Sequence, residues 1–429
     1  MSLHPVDMAI IAAYIGLTLL IGFWISTRAS KGLRSYFLGG NRLPWYALGL
    51  SNASGMFDVA GTMWLVSILF VYGLKSIWIP WLWPVFNQIF LMVFLSIWLR
   101  RSGAMTGAEW ITFRFGDGMA ARLSHLIIVL FALILVLAYM AYGFLGIGKL
   151  AAQFIPLDLA TLLHLDMFLP DALKVADPGA DILARREAVM ASLNEKAFGV
   201  SLVFLTALYV IKGGMYSVVF TEVLQFLVMT IASIGVAVIA IMHVSPEALA
   251  AAIPDGWQNP FFGWELGLDW SSLLLSAETK IAQEGYSLFA IFFMLVLLKG
   301  IFTSLAGPAP NYDMQRVLST RTPKEAAKMS GFVNVILLFP RYMLITGLTI
   351  LALVFFSDEL NGMGADVDFE QILPFAIRNF VPVGLMGLLI AGLLAAFMSS
   401  FAATVNAAPA YLVNDIYKRY INDKASDKT

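Results

Sequence analysis

The chain has 429 residues, 60% hydrophobic and 13% charged, with a mean hydropathy of +0.81. Soluble domains hold roughly 45–50% apolar residues, so water is not the main solvent of this one. A net charge of −1 gives no basic stripe for nucleic acid, and with no cysteine and four scattered histidines the chain offers no disulfide, iron–sulfur, thiolate or metal-ligand pattern, so no cofactor is expected.

Apolar runs long enough to cross a bilayer begin at once. The first, Val6 to Ser26, lacks a basic leader and a small-residue cleavage pattern, and reads as a retained span. Runs at 6–26, 46–72, 76–99, 119–152, 197–211, 217–242, 285–306, 330–356 and 382–412 predict about nine transmembrane helices. The chain is therefore expected to be an all-α integral membrane protein with one transmembrane domain, 1–429. Residues 418–429 form a polar tail.

Loop charges give an orientation. Arg28, Lys31, Arg34 and Arg42 follow the first span, and Arg100, Arg101, Arg114 and Arg122 flank the third and fourth. Lys212, then Arg316, Arg321, Lys324 and Lys328, then Lys418, Arg419, Lys424 and Lys428 fall on the same side. The positive-inside rule places that side in the cytoplasm, with the N-terminus outside and the tail inside. The intervening loops carry acids, among them Asp158, Asp171, Asp255, Asp269, Asp358 and Asp368.

Polar residues within the spans mark candidate sites, because a charge at bilayer depth costs at least about 2.5–3.5 kcal/mol on insertion scales. Asp58, Lys299 and Arg341 are such charges. The second span reads LSNASGMFDVAG from Leu50 to Gly61, where Asn52, Ser54 and Gly55 weaken a helix. That suits either a discontinuous helix that frees carbonyls for an ion or a close-packed helix with small residues. In the ninth span Ala396, Ser399 and Ser400 fall within one turn, so a carbonyl and two hydroxyls can converge. Neutral oxygens suit a loosely held monovalent ion, whereas a bland reading has the serines bonding their own backbone.

Several stretches together resemble the sodium/solute symporter family of sodium-coupled sugar, proline and sialic acid transporters. They are SYFLGGNRLPWYALGLSNASG (Ser35–Gly55), TGAEWITFRFG (Thr106–Gly116), KGGMYSVVFTEVLQ (Lys212–Gln225), PAPNYDMQRVLSTRTPKEA (Pro308–Ala326) and SSFAATVNAAPAYLVNDIYKRY from Ser399. Glu222 stands where the family commonly has aspartate. The resemblance implies an inverted-repeat, leucine-transporter-type fold preceded by one extra helix, with the second and seventh spans broken. It implies a sodium site made by the carbonyls of Leu50, Ala53 and Ala396 and the hydroxyls of Ser399 and Ser400. Asn52 falls where proline transporters carry an aspartate, and Glu222 near the inner ion exit.

The function that the resemblance implies is sodium-coupled symport of a small polar or zwitterionic solute by alternating access in the plasma (inner) membrane. Asn52, Asp58, Lys299 and Arg341 are the substrate or gating candidates, and Asp58 and Lys299 either pair or bracket the solute. The aromatics and prolines of WIPWLWPVF in the third span make a hexose the less expected substrate. The family core needs ten helices after the extra one and eight are counted here, so the second repeat is expected to be incomplete, or completed by a further segment or second chain. The rival reading is a non-transporting solute sensor or a remnant of such a transporter. No Ser/His/Asp or phosphate-loop motif supports an enzyme.

Overall fold

Leu, Ile, Val and Phe distributed around the whole helix circumference, rather than along one stripe, mark helices whose surroundings are apolar on every side. The computed structural model describes residues 3–29, 31–57, 59–170, 173–174, 180–283, 285–307, 313–362 and 369–426. Among these the regular elements are helices, and the backbone pairs outside them at one bridge, Leu43 to Thr320.

The elements used below are α1 (Pro5–Ala29), α2 (Trp45–Gly55), α3 (Val59–Tyr72), α4 (Ile79–Phe90), α5 (Gly107–Phe115), α6 (Met119–Phe154) and α7 (Ala180–His243). They continue with α8 (Phe289–Ala306), α9 (Asp313–Ser319), α10 (Pro323–Ile336), α11 (Leu338–Phe355) and α12 (Leu385–Ala410), which runs on as a π-helical stretch, Tyr411–Ile421. Six helical stretches among the described residues are long and apolar enough to cross a membrane. A seventh is a pair bent by 82°, Phe86–Ser102 with Gly107–Phe115, and Phe289–Leu305 is a shorter apolar helix.

The predicted second span is two helices, α2 and α3. Gly55 closes the first, Met56 and Phe57 interrupt it, and Val59 starts the second. The discontinuity expected from the small and polar residues is present, one turn later than Asn52. The predicted seventh span is continuous from Phe289; the helix Leu275–Gln283 lies before it, and Gly285 between them has φ +71°.

The predicted fifth and sixth spans share α7, whose 64 residues would be about 96 Å long if straight, three times a hydrocarbon core. It is not straight. Gly214 leaves the helical region at φ 51°, ψ −147°, and the Ser217 hydroxyl donates to the carbonyl of Tyr209, eight residues earlier, at 3.1 Å. Eight residues of unbroken helix would separate those groups by about 12 Å, so the chain doubles back between 211 and 217.

Packing around α7 organises the rest: it lies along α1, α6, α11 and α12. Glycines bring the backbones close, since a Cβ on Gly22 of α1 would sit 2.3 Å from the Cβ of Tyr209. Asp7 of α1 accepts from the backbone N–H groups of Gly384 (2.7 Å) and Gly387 (2.8 Å), capping the N-terminus of α12 with an acid. At the far end of α3, the indole N–H of Trp257 donates to the Phe70 carbonyl (3.0 Å) and that of Trp270 to Val71 (2.9 Å). Two orphan carbonyls of the helix C-terminus are thereby satisfied by the loop that follows α7.

The bend makes a specific demand on residue 214. A Cβ at Gly214 would meet the Tyr36 carbonyl at 2.5 Å in a left-handed backbone, whereas Gly16 of α1 has nothing within 4 Å. Gly214→Ala is expected to cost about 1–3 kcal/mol and lower the melting temperature of the detergent-purified protein, while Gly16→Ala leaves it at or above the parent. Equal melting of the two variants would show that the turn does not need glycine.

Candidate functional site

The last turn of α2 is buried from Ser51 to Gly55. The ladder tightens and ends there: Met56 N–H reaches Asn52 (3.2 Å) and Ala53 (3.3 Å), and Phe57 N–H reaches Ser54 (3.0 Å). A helix that stops inside the protein leaves a cluster of partly satisfied oxygens and the negative end of its dipole there. Facing it, α12 presents Ser400, whose hydroxyl lies 3.1 Å from the carbonyl of Gly55 and 3.3 Å from that of Ala396. A small apolar cavity of about 40 Å³ between α6 and α12, lined by Gly143, Ile147, Phe397, Phe401 and Thr404, reaches Ser400.

Ser399 is turned by about 100° around α12 and engages a different partner. Its hydroxyl donates to Glu222 Oε1 of α7 at 3.0 Å. Glu222 Oε1 also receives Arg316 Nη2 of α9 at 2.6 Å, and both side chains are fully buried. Ser51 joins them, accepting from Arg316 Nε at 2.9 Å and donating to Glu222 Oε2. Four helices thus converge on one ion pair. Gly55 permits this, because a Cβ there would stand 2.9 Å from Arg316 Nη2.

Of the residues selected from sequence, Ala53, Ala396, Ser399 and Ser400 are buried at the α2–α12 contact, with Leu50 half-buried on α2. The two serine hydroxyls point to different protein partners, Glu222 for one and Gly55 and Ala396 for the other, rather than to a single point. Glu222 lies at the centre of the cluster. Asn52 is fully buried and neither polar atom of its side chain has a protein partner among the described residues. Asp58 lies outside the described residues, so its pairing with Lys299 does too. Lys299 sits on the exposed side of α8 and Arg341 is half-buried on α11.

Arg316 corrects one expectation. Grouped with the loop charges that orient the chain, it is 0% exposed and bound to Glu222 instead. It lies on the short helix α9, before the basic residues Arg321, Lys324 and Lys328 that do lie at the surface, and nothing local in the sequence separates it from them. Ser51 escapes selection because a serine in a small-residue helix usually serves packing.

A profile of the sodium:solute symporter family matches residues 36–169 and 189–429. Sodium/glucose cotransporter 4 of Danio rerio is 25% identical, over 100% of this chain and 60% of its own length. The sodium/glucose cotransporter of Vibrio parahaemolyticus is 23% identical over 99% and 71%, and the human sodium/myo-inositol cotransporter 25% over 97% and 55%. The chain thus spans between about half and seven-tenths of these relatives. In structure it resembles a Na+-coupled sialic acid symporter solved in a substrate-bound, outward-open state, with a TM-score of 0.63 and 20% identity, over 99% of this chain and 76% of that one. The fold is that helical, inverted-repeat, leucine-transporter type.

Removing one member of a buried ion pair strands the other, a loss of about 3–5 kcal/mol. Glu222→Gln and Arg316→Gln are each expected to lower the melting temperature strongly, and the double variant to melt closer to the parent than either single one. Additive losses would show that the two charges do not depend on each other.

Proposed function

Because the chain belongs to the sodium:solute symporter family, we propose that it drives uptake of a small polar organic solute by coupling it to inward sodium movement through alternating access. The observation that carries this reading is the break between α2 and α3, met by the Ser399–Ser400 turn of α12. Sodium is held there by the carbonyls of Leu50, Ala53 and Ala396 and the hydroxyls of Ser399 and Ser400. A hydroxyl that donates to a carbonyl keeps lone pairs for a cation, and neutral oxygens hold a monovalent ion weakly enough to release it.

Glu222 lies on the route of exit. Its carboxylate is already neutralised by Arg316, so a departing cation competes with a guanidinium and is not trapped on an open charge. The arrangement favours passage over storage.

Unpaired polar groups support a polar solute. Asn52 and Gln88 are fully buried, and both polar atoms of each lack a protein partner among the described residues; so does the buried hydroxyl of Ser330. A Cβ on Gly49, one turn before Asn52, would meet the Phe332 ring of α10 at 2.7 Å, and one on Gly331 of α10 would meet the Met92 sulfur, one turn after Gln88, also at 2.7 Å. Asn52, Gln88 and Ser330 lie on α2, α4 and α10, and α10 packs against both of the other helices; buried amides there require water or a solute's polar atoms. Asp58, Lys299 and Arg341 act in solute binding or gating. The relatives are named for glucose, myo-inositol and sialic acid, which agrees with a small hydrogen-bonding solute.

The protein is a multi-pass membrane protein. We place it in the plasma (inner) membrane as one domain of nine spans in lipid, with the N-terminus outside and the 418–429 tail in the cytoplasm.

Melting of the purified protein in sodium and in choline tests the ion site. At ten times the sodium dissociation constant, binding to the folded state adds about 1.4 kcal/mol. A sodium-specific rise is expected in the parent and absent in Ser399→Ala/Ser400→Ala. A folded parent that melts alike in both salts would overturn the reading.

A further inference from the structure

The first helix, α1, precedes the repeat that builds the site, and none of the residues assigned above to sodium or solute lies on it. Yet one of its side chains reaches the same seam. Tyr14 is 6% exposed; its hydroxyl accepts from Gln225 Nε2 at 3.1 Å and donates to Met398 Sδ at 3.8 Å. Gln225 is one helical turn from Glu222 on α7, on the same face. Met398 immediately precedes Ser399 on α12.

A second tyrosine bonds the backbone of that same residue. Tyr209, from the half of α7 before the Gly214 bend, donates to the Met398 carbonyl at 3.5 Å, the carbonyl bonded to the Ser399 nitrogen. Gly22 of α1 lets the helix press directly on Tyr209. α1 therefore reaches the neighbours of the Glu222–Ser399 contact on both sides, Gln225 on the carboxylate's helix and Met398 on the serine's. The Thr18 hydroxyl, one turn further along α1, is by contrast satisfied within the helix by the Tyr14 carbonyl at 2.9 Å.

The geometry points to Tyr14 as a positioning residue for the sodium site, setting the spacing of α7 and α12 where Glu222 meets Ser399 without itself touching the ion. This rests on the ion site proposed above. Removing the hydroxyl leaves the Gln225 amide without its acceptor and frees the Met398 side chain, so the two helices lose a shared anchor at that level. The sodium response weakens as a result, with the site's own ligands unchanged.

The test is the sodium concentration at half-maximal thermal stabilisation, read on the purified full chain for the parent, Tyr14→Phe, Gln225→Met, the Tyr14→Phe/Gln225→Met double variant and Ser399→Ala/Ser400→Ala. Tyr14→Phe is expected to raise the midpoint at least about threefold, and the double variant by less than the product of the two single effects, since both remove one link. A Tyr14→Phe protein that melts lower by the same amount in sodium and choline, with the parent's midpoint, has lost packing only and overturns the inference. Shifts that multiply independently overturn it as well. Should Tyr14→Phe fail to fold, Gln225→Met carries the prediction of a raised midpoint by itself. A parent with no sodium response, by contrast, is a failure of the ion site and not of Tyr14's role.

Discussion

A guanidinium and a carboxylate withdrawn completely from water carry a desolvation cost of several kcal/mol each, offset only when geometry and further hydrogen bonds are good. Arg316 and Glu222 meet that condition with a 2.6 Å contact, two serine hydroxyls on the carboxylate and one of those serines also accepting from the guanidinium. The pair dictates much around it. α2 must end in glycine to leave room, α9 must be a short helix that turns an arginine inward, and α12 must offer a hydroxyl at 399. Any movement that opens a water path between α2 and α12 has to rehydrate this pair or carry it along, so its geometry bears on which motions are accessible.

The broken span divides its two halves between different neighbours. α2 packs against α7 and α10, while α3 packs against α11 and is tied by its carbonyls to Trp257 and Trp270. A continuous helix would transmit any tilt along its length. With the helix interrupted at Met56 and Phe57, one half can change its inclination without imposing the same change on the other.

How far the sequence can be read depends on which physical signal each feature leaves. Long apolar runs favour helices in hydrocarbon, so the all-helical character is legible, as is the break, because Asn52, Ser54 and Gly55 weaken a helix that hydrocarbon would otherwise favour. The bend in α7 leaves only Lys212-Gly213-Gly214 as a trace, and the two runs beside it are legible while their reversal is not. Arg316 is misread because a basic residue near a span end has the same sequence signature whether it faces the cytoplasm or a buried acid; only the position of Glu222, about ninety residues earlier, distinguishes the two. The serine pair is legible as a turn of hydroxyls, but adjacent residues on a helix diverge, and which neighbour each one meets depends on α7 and α2 together.

The contacts of α1 have a consequence for biogenesis. Tyr14 waits for Gln225, 211 residues later, and Asp7 for Gly384, 377 residues later. At a synthesis rate of roughly 5–20 residues per second, the first helix stands in the bilayer for about 10–40 s before its first polar partner on α7 emerges. It is built to tolerate the delay: Thr18 is satisfied within its own helix, Asp7 lies within its first turn, and the Tyr14 hydroxyl is the single mid-span group among these that must find a partner elsewhere. Nascent chains halted before residue 225 would present that helix undocked, a target for membrane quality control that recognises unpaired polar groups in lipid.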